Sequence, residues 1–461
     1  MSRVLLISTN LTVEPYPVYP LGMAIVAGAL ERAGHTVRQV DLLAAGDDGD
    51  LLERELASFE PEVVGISLRN IDNIDSFVGE EAWYLDQAQR TVARVRAAST
   101  APILVGGPGF TIMPEAILDF IGADIGVVCE GERLVPQIVA DLERGESVER
   151  LYQASAQPLT GPEFGRPLRE QVLVDFYQAE SGLLNLQTKR GCPFRCSYCT
   201  YPAIEGSRFR VRDPRDVVAE LREARQQYGI ERVFFCDSIF NDAQGRYLEL
   251  AEAMLASGLE IAWSAYFRPQ GTTPEQFRLL QRAGLEAVEF GTDAASDATL
   301  DGLDKGFAFD DVVRAQASCS ELGIPAAHFI IFGGPGETEQ TLAAGLANIE
   351  ALGRCVVFGF SGIRILPGTG IAQRALQGGL CDRVTDRLIS RQYLSPQIDQ
   401  EQMNGAILQS FKGRPDRIFP PSEGQKKIEV MRRFGYRGLL WDQLLKVAGR
   451  ERRRSRGRRD D

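Results

Sequence analysis

The sequence predicts an α/β chain of two parallel-sheet units. A doubly wound, Rossmann-like N-terminal domain over 1–145 is followed by a partial (βα)6 TIM-type barrel over 182–380. A linker, 146–181, joins them, and a small C-terminal segment, 381–461, closes the chain. Three observations predict this. Five short apolar runs alternate with amphipathic stretches before Gly145, the signature of βα units around a parallel sheet. Six further apolar runs, each followed by a helical pattern, begin at Leu184. Between the two series Pro158, Pro162 and Pro167 punctuate a stretch with little periodicity, read as an ordered linker.

Taken in order, Val4–Ser8, Val37–Asp41, Val63–Ser67, Ile103–Gly106 and Ile125–Cys129 read as strands. Leu21–Ala33, Leu51–Phe59, Glu81–Ala98, Pro114–Phe120 and Leu134–Arg144 read as the helices among them. Ligands of such a sheet sit beyond the carboxyl ends of its strands, which here carry Ser8-Thr9-Asn10, Ser67-Leu68-Arg69-Asn70, Gly106-Gly107-Pro108-Gly109 and Glu130-Gly131-Glu132. The barrel strands are Leu184–Thr188, Arg232–Cys236, Ile261–Tyr266, Ala287–Phe290, Ala326–Phe332 and Val356–Ile365. The last eighty or so residues are less periodic, with one helix expected at Gln425–Arg433, core packing expected near Phe434–Trp441 with closure over the barrel base or substrate as its alternative, and a solvated, disordered basic tail over Arg450–Arg459.

At about 150 residues per domain, 461 residues leave room for three units and for a core that needs no disulfide staples. The balance of 51 Lys and Arg against 63 Asp and Glu gives −12, which argues against nucleic acid and anionic lipid as partners. The apolar run Met23–Leu30 is too short for a membrane span, which needs ~18 residues. The N-terminus turns polar too early for a signal peptide, so a cytoplasmic chain with reduced thiols is expected. With only two histidines, His35 and His328, cysteine is the expected metal ligand.

That chemistry stands at Lys189-Arg190-Gly191-Cys192-Pro193-Phe194-Arg195-Cys196-Ser197-Tyr198-Cys199, directly after the first barrel strand. Three thiolates can hold three irons of a 4Fe–4S cluster and leave the fourth open to a ligand. A structural zinc site wants a fourth ligand and paired Cys-x-x-Cys units, and neither is nearby. The remaining cysteines, Cys129, Cys236, Cys319, Cys355 and Cys381, are isolated and read as buried core thiols.

The triplet, with Tyr198 before its last cysteine, resembles the radical S-adenosylmethionine (SAM) superfamily, and the resemblance runs over about 183–370. It implies a cluster on Cys192, Cys196 and Cys199 that chelates S-adenosylmethionine. Further matching segments are Cys236-Asp237-Ser238, Glu289-Phe290-Gly291-Thr292-Asp293, Asp304-Lys305-Gly306, Gly334-Pro335-Gly336 and Leu366-Pro367-Gly368-Thr369. By this resemblance Tyr198, Asp237, Ser238, Glu289, Asp293, Gly334 and Arg364 are cofactor contacts. For Asp237, Glu289 and Asp293 a capping or solvated role is the alternative. Tyr266 and Arg268, at a barrel strand end, are candidate substrate-contacting catalytic residues.

In the first domain, Tyr19-Pro20-Leu21-Gly22, Gly34-His35, Gly65-Ile66-Ser67, Gly106-Gly107 and Cys129-Glu130-Gly131-Glu132 resemble the cobalamin-binding domains fused to such enzymes. The dinucleotide glycine fingerprint is absent from the first βα turn. The resemblance marks Tyr19, Leu21, Gly22, Ser67, Arg69, Gly106, Gly107, Glu130 and Gly131 as corrinoid contacts. The Asp-x-His-x-x-Gly motif of histidine-on domains is missing, so cobalt is expected to lack a histidine ligand. Arg69 stays protonated and cannot coordinate a metal; beneath cobalt it would favour cob(I)alamin, the nucleophile that takes a methyl cation. A surface pair with Asp72 or Asp75 is its alternative role.

The combined resemblance implies a cobalamin-dependent radical SAM C-methyltransferase, with features in common with tryptophan 2-C-methyltransferases. It would pass a methyl group from S-adenosylmethionine through methylcobalamin to a small-molecule, amino-acid or lipid substrate, with a flavodoxin or ferredoxin as electron donor. A cobalamin-dependent cyclase or rearrangement enzyme shares the motifs, and a non-catalytic cobalamin-binding or redox-sensing protein is the reading from another class. A methylthiotransferase would need a second cluster, and the N-terminal domain offers only Cys129.

Overall fold

The computed structural model describes residues 1–13, 16–72, 77, 83–154, 158–381, 388 and 391–448. The first sheet is built from β1 (Arg3–Ser8), β2 (Thr36–Asp41), β3 (Val63–Ser67), β4 (Ile103–Gly106), β5 (Ile125–Val128) and β6 (Leu151–Gln153). All pairs are parallel, in the order β2-β1-β3-β4-β5-β6. Strand order reverses between β1 and β3, which opens a crevice where Thr9-Asn10 and Leu68-Arg69 leave the sheet.

Alternation along β1 shows why the sheet is covered twice. Val4 and Leu6 pack with Met23, Ala27 and Ile138 of helices Leu21–Arg32 and Leu134–Glu143. Leu5 and Ile7 pack with Leu52, Val92 and Ile117 of helices Leu51–Phe59, Leu85–Ala98 and Pro114–Ile121. Each such side chain contributes roughly 1.5–3 kcal/mol by leaving water.

The second sheet runs β7 (Leu184–Leu186), β8 (Arg232–Phe235), β9 (Ala262–Phe267), β10 (Leu285–Asp293), β11 (Ala326–Phe332), β12 (Val356–Ser361) and β13 (Arg417–Ile418). Neighbours pair in sequence order and in parallel, and β7 and β13 form its two edges, so the barrel is open. Its interior holds Leu183, Phe234, Ala287, Ala327, Val356 and Phe358 together with Tyr16 from the β1 loop and Trp441 from the C-terminus.

Three expectations are corrected here. The stretch 146–181 is not a linker: β6 extends the first sheet, and helix Gln171–Glu180 buries Leu173, Val174 and Tyr177 in a core shared by both units. A three-residue strand has no period to read. The C-terminal segment is part of the barrel, since β13 adds a seventh strand beside β12 and helices Gln400–Phe411 and Pro421–Arg433 pack around it. Finally, Val356–Ile365 divides at Gly362 (φ 75°), after which Ile363–Arg364 pairs antiparallel with Gln392–Tyr393.

Within 434–441 the residues part company, Trp441 being buried while Phe434 and Tyr436 are exposed. The tail Arg450–Arg459 lies outside the described residues. No helix among the described residues is long and apolar enough to cross a membrane.

Candidate active site

The cysteine loop leaves β7 and is pinned at its root. Asp237, fully buried after β8, accepts from the backbone N–H of Thr188 (2.7 Å) and Lys189 (3.2 Å) and from the Thr188 hydroxyl. Lys189 in turn pairs with buried Asp242 at 2.7 Å. Lys189–Arg190 pairs antiparallel with Arg210–Val211, closing the loop at its base. Gly191 adopts φ 87°, and a side chain there would strike the Arg208 carbonyl, so only glycine serves before Cys192. Ser197 ties the loop to the far side of the barrel, donating from N–H to the Leu303 carbonyl and accepting from Ile371 N–H.

The three thiols stand close enough to feel one another's charge. Burial first, and then the Cys196 and Cys192 thiols, push the Cys199 thiol up to about 12; burial, and among the charges the Cys196 thiol, also raise Cys192. Thiols in this state bind only as a metal displaces their protons. Among the described residues no three His, Cys, Asp or Glu side chains converge tightly enough to hold a single ion.

The remaining barrel residues fall into place around this loop. Tyr198 donates its hydroxyl to Asp293, which also pairs with buried Lys305. Ser238 donates to the Gly191 carbonyl (2.8 Å) and supports the Cys192 thiol. Arg268 stacks at 3.9 Å over Phe194, inside the cysteine loop, and donates to the Lys305 carbonyl.

Opposite the loop, the crevice of the first sheet carries buried polar atoms that lack partners among the described residues: both side-chain atoms of Asn10, the Thr12 hydroxyl and Nη1 of Arg69. Buried polar groups are seldom left so, and these fit a polar ligand at the sheet edge. Gly107 (φ 106°) lets its backbone approach Leu68, whose carbonyl a Cβ would meet at 2.5 Å, and Gly109 sits against Arg69. Ser67 accepts at its carbonyl from Thr9 N–H.

Burial raises Tyr16, Tyr201, Tyr266 and Cys236, and the charge of Arg69 opposes this in all four, so Arg69 stands near the barrel residues. Tyr266 and Tyr201 keep 38% and 40% of their surface accessible, yet burial raises both phenols. A side chain that is both accessible and enclosed lines an internal space. Glu289, register partner of Tyr266, points into the same interior and accepts from Trp441 Nε1 at 2.9 Å; burial lifts its carboxyl to about 7. An open cleft of about 430 Å³ lined by Arg225, Arg232, Ile261 and Gly284 lies at the other end of the barrel, where the strands begin.

Several expected contacts have other occupations. Glu130 bridges the domains, bound to Arg190 (3.0 Å) and Arg210 (2.8 Å), and Arg364 does the same with Asp72. Asp72 has Arg364 as its partner, and Asp75 lies outside the described residues. Asp237 anchors backbone, and Arg268 meets the cysteine loop. Tyr19 is a core residue, 5.6 Å from Tyr177, and Leu21 packs against the same core. Gly131 sits against Val26 and Val135, and Gly334 against Leu303 and Ile363. Open space surrounds Gly22, and Gly106 lies beside Val127.

Cys319 and Cys355 are core thiols, while Cys129, Cys236 and Cys381 are only half-buried. His328 is enclosed between Thr292 and Gln316, its pKa lowered to about 3 by burial. Sequence reading missed Tyr16 and Tyr201, while Trp441 is the residue of the 434–441 stretch that packs in the barrel; no motif marks an aromatic residue that arrives from another segment.

The radical SAM superfamily model matches residues 186–345, and the B12 binding domain model matches residues 7–139. A tryptophan 2-C-methyltransferase of Streptomyces laurentii is 27% identical over 445 residues, covering 80% of this chain and 73% of that protein. An anaerobic magnesium-protoporphyrin IX monomethyl ester cyclase of Rubrivivax gelatinosus is 23% identical over 350 residues, 70% of this chain and 60% of that one. In fold, the chain is similar to a radical S-adenosylmethionine methyltransferase from Kitasatospora setae solved with tryptophan substrate and a SAM analog. The TM-score is 0.84 at 23% identity, over 99% of this chain and 100% of that one.

Proposed function

We propose that this chain, a cobalamin-dependent radical SAM methyltransferase made of a B12-binding domain and a radical SAM domain, places the methyl group on a carbon atom of a small aromatic, amino-acid-like substrate. One observation carries this reading. Arg69, whose Nη1 has no partner among the described residues, and the cysteine loop belong to different domains, yet both lie beside Tyr201 and Tyr266. The aromatic walls, extended by Phe234 and Phe329 beside Tyr266, support a flat apolar substrate. The name of the Streptomyces laurentii relative supports an aromatic amino acid as the first one to try.

Cys192, Cys196 and Cys199 would hold the cluster, and Asn10, Thr12, Arg69, Gly107 and Gly109 the corrinoid. When bound, these groups supply a redox centre that anchors S-adenosylmethionine and a cobalt ion that carries a methyl group. The chain's own part is positional. Arg69 offers a cation with no lone pair to donate, so it presents charge without ligating the metal. Asp293, held by Lys305 and Tyr198, is placed beside the cysteine loop for the amino group of S-adenosylmethionine. A flavodoxin or ferredoxin in the cytoplasm is the fitting electron donor.

The test is anaerobic reconstitution with iron, sulfide and hydroxocobalamin, followed by S-adenosylmethionine, a low-potential reductant and tryptophan as first probe. Corrin and cluster absorbance in stoichiometric amounts, with S-adenosylhomocysteine formed, is the expected result. 5′-Deoxyadenosine without S-adenosylhomocysteine would favour a rearrangement like that of the cyclase relative. A cluster without corrinoid would remove the cobalamin half of the reading.

A further inference from the structure

The cysteine triplet has two gaps, and an aromatic residue occupies each, Phe194 in the first and Tyr198 in the second. A buried cation is seated against each of them. Arg268 lies 3.9 Å over the Phe194 ring and 4.8 Å over Phe307. Lys305 lies 5.9 Å from the Tyr198 ring and 5.5 Å from Phe307. Both are buried, at 7% and 6% exposure. The Arg268 backbone carbonyl and N–H are locked by Asn241, and its side chain donates to the Lys305 carbonyl, so the two cations form one rigid clamp.

Their charges are incompletely neutralised. Asp293 answers Lys305. Arg268 has no carboxylate partner among the described residues, and its Nε has no partner at all there. A guanidinium placed in such surroundings is costly unless an anion balances it. Of the groups around it able to carry negative charge, the Cys196 and Cys192 thiols act on it most strongly.

We propose that Arg268 and Lys305 set the reduction potential of the cluster, holding it above the value the three-cysteine loop would give by itself. Reduction adds one electron to a centre already surrounded by thiolates. A fixed positive charge beside it stabilises the reduced form more than the oxidised one, and burial strengthens that effect. Arg268 is on this account a positioning and charge-setting residue, not one that touches the substrate.

The test is an EPR-monitored redox titration of the reconstituted cluster, with no substrate present and iron content measured first. Arg268→Gln, which keeps polarity but not charge, is expected to hold about tenfold less reduced cluster at a fixed poise, equivalent to ~59 mV for one electron. Arg268→Lys is expected to stay near wild type, and Lys305→Gln, which probes the same field from the second gap, is expected to fall as well. The inference is overturned if both Gln variants, fully loaded, titrate with wild type. It is equally overturned if Arg268→Lys falls as far as Arg268→Gln, because shape and not charge would then be responsible. A wild-type chain that takes up no cluster would instead sink the cofactor assignment itself.

Discussion

Glu289 carries its carboxyl inside the barrel with a folded-state pKa of about 7, raised by burial and only partly opposed by the Trp441 hydrogen bond. An unfolded glutamate titrates near ~4.3. Between these values the folded chain retains a proton that the unfolded chain has released, so stability falls as pH rises through that window. Glu289→Gln removes the titration. Its stability relative to wild type is expected to grow from pH about 4 to about 7 by on the order of 3 kcal/mol and then level off. Urea unfolding of both proteins across that range checks it, and parallel curves would show that Glu289 is ionised throughout. At this scale the cysteine triplet is the feature that stands out in the sequence, because its spacing is itself the chemistry. Glu130, Asp237 and Arg364 were not. A charged residue at a strand end looks the same in sequence whether it meets a ligand, a backbone or another domain.

Among the elements, β1, β3, β4 and β11 stand out because long apolar runs buried on both faces need no partner to be recognised. β6 and β13 were hidden because strands of three and two residues are defined by their neighbours' hydrogen bonds and not by a pattern of their own. The C-terminal stretch 439–445 belongs with them. Leu439, Trp441, Leu444 and Leu445 are all buried in the barrel interior against Ala287, Ala327 and Val356, whose small or medium side chains leave room for an indole. Trp441→Ala is expected to lower unfolding free energy by about 3–5 kcal/mol, as large aromatic deletions in cores do. Trp441→Phe should lose much less while removing the donor to Glu289 and raising its pKa further. Denaturant midpoints across pH separate the two effects.

For the molecule as a whole, the domain assignment makes its own demand. The cysteine loop and the corrinoid crevice are built by different sheets, pinned together by Glu130 with Arg190 and Arg210 and by Asp72 with Arg364. Cys192→Ala is therefore expected to abolish cluster absorbance and turnover while leaving corrinoid uptake unchanged, measured by absorbance after gel filtration. Loss of both would mean that the two sites are not separable. The sequence showed two series of βα units, yet it treated 146–181 and the C-terminal residues as accessories. They are shared structure, and a contact between distant segments leaves no local period.

Trp441 also imposes a schedule on the ribosome. The first sheet has all its strands once Gln153 has emerged, so the N-terminal domain can take shape while the rest is still being made. The barrel cannot. Its seven described strands are translated by Ile418, but the indole that fills their centre and caps Glu289 is decoded twenty-three residues later, so the interior is filled only after the last of those strands has been made. Until then the apolar residues that will line the barrel have no indole to pack against, the kind of exposed surface that chaperones protect.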